Sequence, residues 1–381
     1  MVENYYFLGI GGIGMSAIAR YFKAKGFNVA GYDRTASLLT HELEKEGIAV
    51  NYSDEVEVIP SEYKNPDNTF VVFTPAIPKD NVQYNFFVSN NFVMQKRAQV
   101  LGDITRRERG LCVAGTHGKT TTSTMIAHIL KQSHVDCNAF LGGISKNYTS
   151  NLLLSDKSDL VVIEADEFDR SFHHLSPYMA VVTATDADHL DIYGTYDAYV
   201  ESFNHFTSLV QPGGVLIMKK GIVLNPQLAE NVSLYTYSAT EKADFYADNI
   251  RIGGGKLLFD FIAPTTKICD VDLGVPVLVN VENAVAAMAV ALLSGATESE
   301  LKAGIASFAG IRRRFEIHYK SDKFTLVDDY AHHPKEIEAS LKSINALYND
   351  RKIVVVFQPH LFTRTRDFYA DFAKALSVAT Q

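Results

Sequence analysis

The stretch 111-LCVAGTHGKTTTSTMIAHIL-130 decides the fold. An apolar strand runs into a glycine turn, and a helix rich in Thr, Ala and Ile follows at once. Successive backbone amides ahead of a helix make a nest for an anion. Lys119 can reach the β- and γ-phosphates of a nucleoside triphosphate, and Thr120 can offer its hydroxyl to Mg²⁺. The expected ATP loop is therefore Gly115, Thr116, His117, Gly118, Lys119, Thr120 and Thr121. The common pattern G-x-x-x-x-G-K-[ST] needs glycine at position 113, where Val113 stands, so the loop is a shortened G-T-H-G-K-T form. Taken alone it also fits a Gly-Thr turn capping an Ala-rich helix; its place between strand and helix favours phosphate.

Downstream, DLVVIEAD (159–166) and MAVVTATDADHLD (179–191) read as buried strands ending in acids and a histidine. Ligands of open parallel sheets collect at the carboxyl ends of strands. Glu164 there can hold Mg²⁺ directly or through water, and His189 with Asp191 can join a second metal position. From Val232 to Leu273 short alternating runs around Gly253-Gly254-Gly255 predict a small antiparallel flap, and NAVAAMAVALLSGA (283–296) a helix.

Upstream, YYFL runs into GIGGIGMS (9–16), and Gly9, Gly11 and Gly14 fill a G-x-G-x-x-G. Asp33 stands near the ~20-residue spacing of a ribose-binding carboxylate, so this end alone reads as a dehydrogenase. That reading leaves Lys119 in a phosphate loop unexplained. Strands and helices alternate through FNVAGYD and FVVFTPAI (70–77), the βαβ rhythm of a parallel sheet. Beyond position 311 come Arg312-Arg313-Arg314, Asp328-Asp329-Tyr330, His332-His333-Pro334, a strand-like KIVVVFQPH, and His360 with Arg364 and Arg366. An arginine delivered from another domain can neutralise a transferring phosphoryl group.

Composition bounds the class. The chain has 381 residues, enough for two or three domains, with 47% hydrophobic and 21% charged residues. A net charge of -8 with scattered basic residues argues against a nucleic-acid partner. No apolar run approaches a membrane span, and MVENYY lacks a basic signal-peptide region, so a cytoplasmic enzyme is expected. Three cysteines, far apart and without C-x-x-C spacing, indicate neither a disulfide framework nor a zinc site.

Taken together, GIGGIGMSAIA, AGTHGKTTT, EADEFDRSF, DADHLDIY, RRRFE, DDYAHHPKE and QPHLFTRTRD occur in the order used by the Mur ligases, which this chain resembles over essentially its whole length. The resemblance implies a three-domain α/β architecture. Its parts are a Rossmann-like domain (1–106) for a UDP-sugar, a P-loop central domain (107–311) for ATP, with a parallel sheet and a small antiparallel flap, and a Rossmann-like third domain (312–381). The chain is expected to stop inside that third domain and, unless the remainder is supplied, to turn over slowly or to be an inactive fragment that only binds UDP-sugar and ATP.

The implied reaction is ATP-dependent joining of L-alanine to the carboxylate of UDP-N-acetylmuramate through an acyl phosphate. A relative that recycles murein tripeptide uses the same sugar nucleotide and is the nearest alternative. Gly9, Gly11, Gly12, Ile13, Gly14 and Met15 are implied to face the UDP pyrophosphate, with Asp33, Thr74, Pro75 and Ala76 near the uridine. Lys119, Glu164, His189 and Arg314 are the implied catalytic set, and Thr120, Glu164 and His189 the metal-associated one. Asn283, Arg314, Asp328 and Tyr330 fall to ATP, and His332, His360 and Arg364 to the substrate side. Three departures stand out: Val279 where the family usually has histidine, Leu361-Phe362 where arginine and tyrosine are common, and no lysine between His189 and Met218, so no carbamylated lysine is expected.

Overall fold

Tyr6, Phe7 and Leu8 are all fully buried, which is what a central parallel strand covered on both faces requires. The structure, a computed structural model, describes residues 2–253, 256–348, 350–360 and 362–379. The first sheet comprises β1 (Asn4–Leu8), β2 (Asn28–Tyr32), β3 (Ala49–Asn51), β4 (Thr69–Phe73) and β5 (Val93–Lys96). All are parallel, in the order β3-β2-β1-β4-β5. Gly9 turns the chain out of β1 with φ +85°, a left-handed conformation natural to glycine, and a side chain there would strike Thr74. The helix Ile13–Ala24 then packs Met15, Ala17, Ile18 and Tyr21 inward.

The central sheet has ten strands: β6 (Arg109–Ala114), β7 (Asn138–Ser145), β8 (Ser150–Leu153), β9 (Leu160–Glu164), β10 (Pro177–Val182), β11 (Val215–Lys219), β12 (Ser233–Ser238), β13 (Phe245–Gly253), β14 (Lys256–Ile262) and β15 (Lys267–Asp272). Their order is β15-β14-β13-β12-β11-β10-β6-β9-β7-β8. The antiparallel strands foreseen as a flap thus continue the main sheet. β13 pairs parallel with β12 through Tyr237–Phe245 and Ser238–Tyr246, then antiparallel with β14. Alternation showed which residues face inward, Leu257, Phe259 and Phe261 among them, but could not say which edge would receive them. Gly254 and Gly255 lie outside the described residues. The helix Leu278–Leu293 is apolar on nearly every face and is buried from Ala284 to Ala291, against the helices Lys119–Gln132 and Glu298–Ser307 and the strands β12 and β13.

Within this core His128 bonds Tyr148 Oη (2.9 Å) and Ser307 Oγ (3.0 Å), and burial lowers its pKa to about 4. A histidine depressed in the folded state adds stability that is present above its unfolded pKa and lost as pH falls. We therefore expect the melting temperature to drop as pH falls from ~6.5 to about 4, and His128→Asn to flatten that drop. A pH dependence unchanged by the substitution would contradict the assignment.

The third region holds an antiparallel pair, β16 (Glu316–Lys320) and β17 (Thr325–Asp328), and the helices Pro334–Leu347, Phe362–Asp367 and Tyr369–Leu376. KIVVVFQPH, expected as a strand, is assigned to no strand among the described residues. Ile353, Val355 and Phe357 join the helical core, while Val354 and Val356 are 71% and 96% exposed. The period-two pattern encodes which face packs; pairing needs a neighbouring backbone at strand spacing, which no pattern specifies.

Candidate active site

Strand β6 buries Leu111 to Ala114 and so drives the phosphate loop to the carboxyl edge of the sheet. Gly115 (φ +134°) and Gly118 (φ +82°) make the turn, and any side chain on Gly115 would overlap Thr183 and the Ala184 backbone. Thr116 Oγ1 donates to the Asp186 carbonyl at 2.9 Å, and Thr183 Oγ1 donates to the His117 carbonyl. The helix Lys119–Gln132 begins without a side-chain cap, leaving its first amides turned to the loop. Lys119 Nζ donates to the Gly115 carbonyl (2.8 Å) and to Glu167 (2.7–2.8 Å). Burial works against the Lys119 charge, but Glu167, Asp166 and Glu164 outweigh it and raise the pKa.

Glu164 ends β9 and lies across Gly142 of β7, so closely that a Cβ there would overlap its carboxylate. Its Oε2 is buried without a hydrogen-bond partner. Burial raises its pKa, against the pull of Lys119 and Thr120. An orphaned carboxylate oxygen beside the Thr120 hydroxyl is a hard-oxygen donor pair that fits Mg²⁺. His189 opens the short helix Leu190–Tyr193 with φ +51°, its ring edge-on to Phe168 and 3.6 Å from Asp188.

One cavity gathers Lys119, Thr120, Glu164 and His189 from the central domain with Arg314, His332 and Arg364 from beyond it. Arg364 reaches it by pairing with Asp188 at 3.1 Å, and only 7% of its side chain is exposed. His360 is exposed and Asp191 is not among the lining residues. Leu361 lies outside the described residues, and Phe362 is 98% exposed.

A second cavity lies on the far side of the loop, lined by Gly118, Thr121, Lys219, Val279, Asn283 and Asp329 among others. Asn283 is 7% exposed, and both its amide atoms are used internally. Oδ1 accepts from Thr122 Oγ1 and Nδ2 donates to Asn280, both at 3.2 Å, with Oδ1 packed on Gly118. Of the adjacent pair Asp328 and Asp329 it is Asp329 that lines this cavity, together with Glu336, whereas Asp328 stands 3.5 Å from His318 on the hairpin. Tyr330 lies under Arg313 and Arg314, their guanidinium carbons 5.1 and 5.3 Å from its ring centre, so it touches the site through Arg314.

At the amino-terminal glycine loop, Gly11 N–H donates to Asp33 Oδ2 at 2.7 Å, and Asp33 Oδ1 accepts from Thr35 N–H. Gly12 caps the helix Ile13–Ala24 without a side-chain bond. Met15 is buried in the core, Thr74 faces Gly9, and Pro75 and Ala76 are exposed. Arg97 covers Gly14 and stands 3.6 Å from Asp166. A third cavity runs from Ile13, Gly14 and Arg97 past Phe140 and Gly142 to Glu164. Asn151 ties the two domains beside it, donating to the Ile13 carbonyl (2.5 Å) and Ser16 Oγ (3.1 Å) and accepting from Arg20 (2.8 Å).

Arg97, Glu167, Asp188 and Glu336 were not singled out from sequence. Glu167 carried a signal as the second glutamate of EADE, and Asp188 as one of the acids ending MAVVTATDADHLD; Arg97 and Glu336 have none without the fold. Among the described residues no cluster of three or more His, Cys, Asp or Glu is placed to hold a metal, and no helix is long and apolar enough to cross a membrane.

Three family models match in chain order: "Mur ligase family, catalytic domain" over residues 4–109, "Mur ligase middle domain" over 113–291, and "Mur ligase, glutamate ligase domain" over 313–381. The chain is 61% identical over 377 residues to the UDP-N-acetylmuramate–L-alanine ligase of Parabacteroides distasonis, covering 99% of this chain and 82% of the relative. It is 58% identical over 378 residues to that of Porphyromonas gingivalis, covering 99% and 83%. The crystal structure of UDP-N-acetylmuramate-alanine ligase from Thermotoga maritima matches with a TM-score of 0.83 at 28% identity, over 99% of this chain and 84% of that one. A murein peptide ligase from Psychrobacter arcticus shares the fold, with a TM-score of 0.74 at 22% identity, over 99% and 83%.

Proposed function

Because the chain belongs to the Mur ligase family, we infer that it is an ATP-dependent amide-forming ligase that joins L-alanine to the carboxylate of UDP-N-acetylmuramate, a step of peptidoglycan precursor synthesis. The observation that carries the chemistry is the position of Glu164. It lines both the cavity descending from the glycine loop and the cavity of the phosphate loop, so a carboxylate arriving along the first meets a γ-phosphate held in the second.

In this reading the glycine loop holds the UDP pyrophosphate at the start of the helix Ile13–Ala24, and Asp33 braces the loop from below. The phosphate loop holds ATP, with Lys119 released from Glu167 towards the β- and γ-phosphates. The muramyl carboxylate attacks the γ-phosphorus, the bond to ADP breaks, and an acyl phosphate forms. Arg314 and Lys119 spread the charge on the transferring group. The free amine of L-alanine then attacks the acyl carbon, the nitrogen gives up a proton to solvent, and phosphate leaves with its electron pair. Arg364 and His332 face that side of the cavity. Thr120 and Glu164 would hold Mg²⁺, which supplies charge neutralisation at the phosphates. We assign residues 1–106, 107–311 and 312–381 to the sugar-nucleotide, ATP and amino-acid sides. A cytoplasmic location follows from substrates that are cytoplasmic nucleotides.

Phosphate release with UDP-N-acetylmuramate, ATP and Mg²⁺ tests the reading. We expect L-alanine to support release above glycine, L-serine and murein tripeptide. Release with the tripeptide and none with L-alanine would transfer the chain to the recycling activity. Saturable NAD(H) binding with no response to the UDP-sugar would overturn the ligase reading altogether.

A further inference from the structure

The His117 side chain of the phosphate loop reaches across to the third region. Its ring lies between two carboxylates from different domains: Nε2 is 3.4 Å from Asp186 Oδ2, in the loop after β10, and Nδ1 is 3.4 Å from Glu336 Oε1, in the third region. Both nitrogens are buried, and each faces its carboxylate as a long ion-pair contact without full hydrogen-bond geometry. A buried ring with two half-made contacts needs an explanation, because unpaired polar atoms in the interior cost free energy.

Glu336 supplies one. It is the third residue of the helix Pro334–Leu347, and its two oxygens are divided. Oε2 accepts from the His332 (3.1 Å) and His333 (3.3 Å) amides, closing the capping box at the helix start. Oε1 has no part in the cap and is turned to His117 Nδ1 and, at 4.0 Å, to Arg314 Nη1. The neighbouring Lys335 grips Asp186, the second carboxylate on the same histidine. Glu336 lines both the phosphate-side and the far-side cavity, so it stands where the two ends of a bound nucleotide would divide. His117 is followed at once by Gly118 and Lys119, so whatever fixes its ring also fixes the amides and the ammonium aimed at the phosphates.

We propose that Glu336 is a positioning residue of the reaction: docking of the third region carries its free oxygen onto His117 and sets the phosphate loop for ATP. This rests on the phosphate-loop reading above. Helix capping needs only an acceptor at this position, which glutamine also provides, whereas the hold on His117 and Arg314 needs the negative charge. Glu336→Gln therefore separates the two roles, and Glu336→Ala removes both.

The test is hydrogen exchange and calorimetry on the full chain with Mg-ATP. We expect Glu336→Gln to raise amide exchange in residues 115–121 and weaken ATP binding by about tenfold, while residues 334–347 stay protected. Glu336→Ala should expose both segments. His117→Asn should lose the same ATP affinity, and the double variant His117→Asn/Glu336→Gln should lose no more than either single one. Loop protection and ATP affinity unchanged in Glu336→Gln would reduce the residue to a helix cap and overturn the proposal. Fully additive losses in the double variant would overturn it too. Absence of ATP binding by the wild-type chain would instead remove the phosphate-loop reading on which the proposal stands.

Discussion

Lys119→Ala should lower ATP-dependent phosphate release by about 10³-fold, the upper range for losing one preorganised charge on a developing anion. Its ammonium is bonded to the Gly115 carbonyl and to Glu167. The substitution also strands Glu167, which is 1% exposed and would lose its counter-ion. Lys119→Ala should therefore melt earlier than wild type. Adding Glu167→Gln should restore the melting temperature without restoring release. Measuring release and melting on both variants separates the two effects; recovery of release in the double variant would show that Lys119 acts only by neutralising Glu167.

Gly142→Ala should be nearly as damaging, although residue 142 carries no chemistry. The backbone there has no left-handed requirement, so alanine is conformationally acceptable, but its Cβ would coincide with the Glu164 carboxylate. Glu164 has to swing out of the cavity, and the hard-oxygen pair it makes with Thr120 comes apart. Release should fall about 10²-fold, with the Mg²⁺ concentration for half-maximal rate rising at least ~10-fold, since a misplaced ligand costs about what a deleted one does. Glu164→Gln should show the same Mg²⁺ shift. A Gly142→Ala enzyme with wild-type Mg²⁺ dependence would mean that Glu164 does not meet the metal.

Legibility followed the physics of each signal. Lys119, Thr120, Glu164 and His189 could be found because each sits at the carboxyl end of a strand or the start of a helix, where local pattern places ligands. Asp329 and Asp328 are adjacent in the sequence, and only the strand β17 and the irregular segment after it decide which one faces the cavity. The antiparallel strands of the central domain were legible as strands but not as an extension of the main sheet. KIVVVFQPH showed its packed face, though no strand is assigned to it among the described residues.

The sequence by itself determined the family, the two glycine-rich turns and most of the order of strands and helices, because these depend on periodicity, on backbone conformations natural to glycine and on short-range spacing. The tertiary structure alone decided that Lys119 is stored against Glu167, that Gly142 makes room for Glu164, that Arg97 roofs Gly14, and that His117 is held between Asp186 and Glu336. Each of these joins residues far apart in the chain through contacts of a few ångströms. Such contacts are set by how whole elements pack, and no local pattern carries that information.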